Sequence, residues 1–133
     1  MSENKKVRVG LCGAGFAGKF HAYGINRAYG VDAQVSVLCE PNRELAEAVA
    51  AKYGIPRICA DFKELLRDDT INVVDLCTPT NMHHTMIEEA LAAGKHVICE
   101  KPLTGYFGAV SYTHLDVYKR QVYQLKHTAK KEN

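Results

Sequence analysis

The chain's Val7-Arg-Val-Gly-Leu-Cys-Gly-Ala-Gly-Phe-Ala-Gly18 segment limits its fold more than any other stretch. The apolar run Val7, Val9 and Leu11 has the alternation of a buried strand and leads straight into Gly13-x-Gly15-x-x-Gly18. Phe16, Ala17, Phe20 and Ala28 then recur at helical spacing. A strand, a glycine-rich turn and a helix in that order form the dinucleotide-binding fingerprint. Each glycine has a physical task. Gly13 makes the tight turn. Gly15 lets a pyrophosphate approach the backbone, over the free N–H groups at the positive end of the helix, beside Phe16 and Ala17. Gly18 lets the helix pack closely.

A glycine turn alone is a weak signal, and its context strengthens it. A second strand, Val35–Cys39, ends in Glu40, 22 residues beyond Gly18. That is close to the spacing of the acid that accepts hydrogen bonds from the adenosine ribose. A carboxylate there repels the 2′-phosphate of NADP and favours NAD. Arg43 is the counter-argument, since it could stack on adenine or reach a phosphate, and it keeps NADP open.

Strands and helices alternate along the rest of the chain. Pro41-Asn42 turns it, and Leu45, Ala48, Val49 and Tyr53 mark a helix that Gly54 stops. Arg57–Ala60 is a weak third strand, and Asp61 caps a short helix through Leu65 and Leu66. Asn72–Cys77 is a fourth strand. Met82, Met86, Ile87, Ala90 and Leu91 share a face of a fourth helix, Gly94 ends it, and His96–Cys99 is a fifth strand. The pattern predicts an α/β fold: a Rossmann-type, doubly wound parallel sheet, incomplete at its C-terminal side. Right-handed crossovers place the loops after strands one, two, four and five along one edge, where ligands bind.

Composition excludes several alternatives. The 133 residues suffice for one domain, with 47% hydrophobic and 24% charged residues. The net charge of +2 gives no case for a nucleic-acid partner, because residues 1–109 hold 12 Lys/Arg against 13 Asp/Glu. No apolar run has the length of a membrane span, and the N-terminus lacks a signal peptide's apolar segment, so a cytoplasmic location is the default expectation. The five cysteines, Cys12, Cys39, Cys59, Cys77 and Cys99, lack CxxC spacing, so no structural metal site is expected. All lie at or near strand ends and read as small buried apolar residues, with Cys77 and Cys99 as candidate thiols at the ligand-binding edge.

At the end of strand five stands Ala93-Gly-Lys-His-Val-Ile-Cys-Glu-Lys-Pro-Leu103, and upstream is Thr78-Pro-Thr-Asn-Met-His83. With the glycine turn, these segments resemble the glucose–fructose oxidoreductase/inositol dehydrogenase (Gfo/Idh/MocA) family over roughly residues 5–108. The resemblance implies a nicotinamide-dependent dehydrogenase acting on a sugar, cyclitol or related polyol. It assigns Lys101 the catalytic place beside the nicotinamide and the reacting hydroxyl, where a cation stabilises developing alkoxide charge. Glu100 would orient that lysine, and Pro102 would fix the turn at a bond where a cis peptide can form. Thr78, Pro79 and Asn81 would pass beneath the nicotinamide side. His83 matches the family histidine opening helix four, with packing as the equal alternative, and His21 matches a histidine often present on helix one. Thr80 departs from the asparagine often found after the proline. A nucleotide-sensing module without catalysis is the alternative of a different class. A thiol- or metal-based regulator built on Cys77, Cys99, His83 and His96 is a third.

Residues 110–121 are of another kind. Permitted codons for Val110-Ser-Tyr-Thr-His-Leu-Asp-Val-Tyr-Lys-Arg-Gln121 give a string that is its own reverse complement apart from its last two bases. It resembles two transposase mosaic ends, as used in preparing sequencing libraries, joined head to head. The expectation is therefore a dinucleotide-binding domain over 1–108, a non-native segment over 109–121 and a non-native or disordered tail over 122–133. The substrate domain of the family would then be missing, and with it the proton-transferring residues and the usual oligomer interface.

Overall fold

The computed structural model describes residues 5–103. The readings of Thr104–Gly108, 109–121 and 122–133 lie outside the described residues. The chain runs β1 (Lys6–Cys12), α1 (Phe16–Ile25), β2 (Asp32–Cys39), α2 (Arg43–Tyr53), β3 (Arg57–Cys59), α3 (Phe62–Leu66), β4 (Val73–Leu76), α4 (Thr80–Ala92) and β5 (His96–Cys99). All pairings are parallel, and the sheet order is β3-β2-β1-β4-β5. This is the doubly wound arrangement that the alternating pattern predicts.

Register explains why the cysteines cluster at strand ends. Cys59, Cys39, Cys12, Leu76 and Cys99 are consecutive Cα partners across the five strands. Every strand therefore ends in one row, and all the following loops emerge along one edge. Ser36 is an extra residue, since Val9 pairs with Val35 and Gly10 with Val37. That bulge puts Val35 and Leu38 on the same face of the sheet.

Each face has its own core. Val9, Leu11, Val35 and Leu38 pack with Ala22 of α1 and Ala46 and Val49 of α2. Cys12, Val37, Val74 and Leu76 pack on the other side with Leu65 of α3 and Met86, Ile87 and Ala90 of α4. Gly10 makes room for α3: a Cβ there would stand 2.6 Å from Leu65 Cδ1.

Helix ends follow local chemistry. The Asn42 side chain accepts the Leu45 N–H at 3.1 Å, and Asp61 Oδ1 accepts the Lys63 N–H at 3.0 Å. Gly54 closes α2 in the left-handed region at φ 66°. The expected apolar face of α1 is corrected by the structure. Phe16 and Phe20 are 88% and 68% exposed, Ala28 lies beyond the helix, and the buried positions are Gly18 and Ala22. Small residues face the sheet because α1 lies close upon it. A Cβ on Gly18 would collide with the Gly13 carbonyl oxygen, so this glycine fits the helix to the turn itself.

Candidate functional site

The loops at the carboxyl ends of the strands enclose a cleft of about 790 Å³. Its floor is the turn Gly13–Ala17, its flanks are Glu40 and Pro41 on one side and Cys77–Pro79 on the other, and Met82 and Met86 of α4 add an apolar wall. Ala60, Asp61 and Phe62 also line it, a contribution from the loop after β3 that the sequence reading did not include.

The glycine turn is built by exclusion. Gly13 has φ 97°, and a Cβ on it would run into the Cys77 carbonyl, so only glycine fits. Its N–H donates to the Cys39 carbonyl at 3.0 Å, which ties the turn to β2. Gly15 differs, because a Cβ there would meet no atom within 4 Å and would project into open space. Gly15 is also the N-cap of α1, and no side chain caps that helix. α4 likewise starts, at Pro79, without a side-chain cap, whereas α2 and α3 are capped by Asn42 and Asp61. The cleft therefore has an open position above Gly15 and the uncapped N-terminus of α1, features that suit an anionic, phosphate-bearing ligand.

Glu40 sits at the turn. Its Oε2 accepts the Ala14 N–H at 3.0 Å and its Oε1 accepts the Asn42 N–H at 3.1 Å. A carboxylate offers about four acceptor sites, so capacity remains for hydroxyl donors. Arg43 does not line the cleft; its Nε donates to Glu47 Oε1 at 2.8 Å along the exposed face of α2.

Thr78 and Pro79 line the cleft, and Asn81 is exposed on the first turn of α4 outside the lining. His83 is 1% exposed. Its Nδ1 lies 2.8 Å from the Pro102 carbonyl oxygen and its Nε2 2.8 Å from that of Thr78. The ring thus joins the two loops that follow β4 and β5, and presents no free nitrogen to the cleft. Lys101 and Pro102 are exposed at the same edge, and the Lys101–Pro102 peptide is cis. The Glu100 N–H donates to the Leu76 carbonyl at 3.1 Å, extending the β4–β5 ladder up to Lys101.

One grouping was not visible in the sequence. His21, Asp75 and Cys77 bring a ring nitrogen, a carboxylate oxygen and a thiol sulfur within 4.8 Å of one another. The 2.7 Å between His21 Nδ1 and Asp75 Oδ2 is a hydrogen-bond distance. Burial, reinforced by Asp75, holds the Cys77 thiol far above its ordinary value, and burial likewise pushes Cys99 up to about 11. Both are therefore neutral thiols at pH 7.

Known proteins share this fold. Residues 7–127 match the GFO_IDH_MocA model, described as an oxidoreductase family with an NAD-binding Rossmann fold. Levoglucosan dehydrogenase of Pseudarthrobacter phenanthrenivorans is 38% identical over 105 residues, covering 74% of this chain and 27% of the relative. Inositol 2-dehydrogenase of Rhizobium meliloti is 39% identical over 97 residues, covering 73% and 28%. Among solved structures, an NAD binding oxidoreductase from Klebsiella pneumoniae superposes with TM-score 0.76 at 32% identity, over 96% of this chain and 32% of that one. Levoglucosan dehydrogenase in complex with NADH gives 0.70 at 37%, over 75% and 29%. The chain thus spans less than a third of the length of these curated relatives. Among the described residues, no helix is long and apolar enough to cross a membrane.

Proposed function

The chain belongs to the GFO_IDH_MocA oxidoreductase family, with its NAD-binding Rossmann fold, and on that premise we propose that it is the cofactor-holding part of a dehydrogenase acting on a hydroxyl of a sugar, cyclitol or related polyol. The observation that carries the proposal is the open position above Gly15 at the uncapped start of α1, with Glu40 in the cleft lining and Lys101 outside it, on the turn that follows β5. The N–H groups of the first turn of α1 would hold the pyrophosphate. Glu40 would accept from the adenosine ribose hydroxyls, which favours NAD over NADP. Thr78 and Pro79 would flank the nicotinamide half.

Bound NAD supplies the hydride acceptor. Lys101 would donate a hydrogen bond to the substrate hydroxyl oxygen and stabilise the negative charge that develops there as its proton leaves. The polyol class is supported by the inositol and levoglucosan dehydrogenases among the relatives. The hydroxyl proton needs a base as its acceptor, a role that the family resemblance gives to the substrate domain rather than to Lys101.

Fluorescence titration with NADH, paired with an absorbance assay on myo-inositol and levoglucosan, tests this reading. The 133-residue chain is expected to bind NADH and to give no turnover. A folded chain without NADH affinity would overturn the proposal.

A further inference from the structure

The His21 imidazole stands between two carboxylates supplied by different strands. Nδ1 lies 2.7 Å from Asp75 Oδ2 on β4, and Nε2 lies 2.6 Å from Glu100 Oε1 at the end of β5. Asp75 is fully buried. The Cys77 thiol lies 3.4 Å from Nδ1, and the Cys99 thiol is close enough to feel the charges of Asp75 and Glu100. Two ionised carboxylates, one on each ring nitrogen, are both satisfied only if both nitrogens carry protons. Burial alone would push His21 down, but the hydrogen bonds and charges of Asp75 and Glu100 outweigh it, and the ring is held above its ordinary value. Burial pushes Asp75 up while His21 opposes that rise, and the nearby Glu100 charge adds to it. The imidazolium therefore offsets the repulsion between the two acids.

Glu100 directly precedes Lys101. Its backbone is fixed by β4 through the Leu76 carbonyl, and its side chain by His21. On the far side of Lys101, the Pro102 carbonyl is held by His83. We propose that His21 is a positioning residue: by clamping Glu100 against Asp75, it fixes the Glu100–Pro102 turn and so presents Lys101 to the cleft. This inference rests on the reading of Lys101 given above, and assigns the turn a support from α1, 79 residues away in sequence from Glu100.

The clamp has a direction of failure. A ring that loses one proton can donate to only one carboxylate. Glu100, with a side chain 38% exposed, can turn to water, whereas Asp75 is buried and cannot. The Glu100 contact is therefore the one released on the alkaline side.

NMR on the labelled, NADH-free 133-residue chain tests this. The His21 ring should titrate above about 6.5, and the Lys101 amide shift should follow the same midpoint. Glu100→Gln should move the ring midpoint down towards about 6.5 and abolish the Lys101 response, with β1 and β2 amides unchanged. This variant keeps the Asp75–His21 pair, so its fold is less at risk than that of His21→Gln, which should also abolish the response. A ring midpoint unmoved by Glu100→Gln, or a Lys101 amide indifferent to pH across the ring titration, would overturn the proposal. Because the measurement needs no cofactor, a failure of NADH binding would count against the reading of the cleft and leave the clamp result standing.

Discussion

Glu40 reaches from the end of β2 to accept the Ala14 N–H at 3.0 Å, so the acid proposed to meet the ribose also braces the glycine turn. Glu40→Ala should therefore weaken NADH binding about tenfold, ~1.4 kcal/mol, through loss of a charge-assisted acceptor. NADPH affinity should change less, because the repulsion of the 2′-phosphate is relieved by the same change. Paired fluorescence titrations with the two cofactors check this. An unaltered NADH-to-NADPH ratio would count against the ribose role.

Gly13 and Gly15 separate stability from binding. Gly13→Ala forces a side chain to φ 97° and into the Cys77 carbonyl. It should cost about 2–4 kcal/mol and lower Tm by about 10 °C or more in a thermal melt. Gly15→Val places its side chain in open space at an extended backbone conformation, φ −75° and ψ −164°. Its melt should stay near that of the parent while NADH affinity is lost. Equal destabilisation by both changes would contradict the assignment of the two glycines.

Lys95 is buried, and its Nζ donates to the carbonyl oxygens of Asp68 and Ile71, each at 2.8 Å. Lys95→Met would keep the apolar stem and strand two carbonyls. We expect a loss of about 2–3 kcal/mol in urea unfolding, with NADH affinity unchanged. A neutral effect on stability would show that water replaces the ammonium at little cost.

Acid should weaken the α3–β4 connection. The Thr70 hydrogen bonds and then Arg57 hold the Asp68 carboxyl below its ordinary range. A carboxyl whose pKa is lower folded than unfolded contributes stability that is complete above the unfolded value, about 3.9, and is lost as pH falls through the folded value. Asp68→Asn should therefore flatten the acid limb of a stability–pH curve and leave the curve near pH 7 parallel to that of the parent. An acid limb of the same steepness in the variant would exclude Asp68 as a source.

The doubly wound parallel sheet and the cleft edge were legible in the sequence, because strand-to-helix alternation with short turns admits few topologies and the glycine spacing marks the first crossover. Strand β5 was placed at its observed bounds from His96 and Cys99. The face of α1 was not legible. Apolar periodicity gives weight to large residues such as Phe16 and Phe20, whereas close packing against a sheet selects small ones, Gly18 and Ala22. The clamp of His21, Asp75 and Glu100 was also out of reach, since it depends on strand register between residues 54 and 79 positions apart. A polar residue inside an otherwise apolar strand, Asp75 in Val73–Leu76, is the one trace of it in the sequence, and by itself it names no partner.

The most direct test of the account is an amide chemical-shift map of the 133-residue chain on titration with NADH. The shifts are expected to concentrate in Gly13–Gly18, Glu40–Asn42 and Thr78, and to reach Lys101, while amides along β3 and the exposed face of α2 stay in place. Shifts centred elsewhere, or none from a folded chain at saturating NADH, would contradict it.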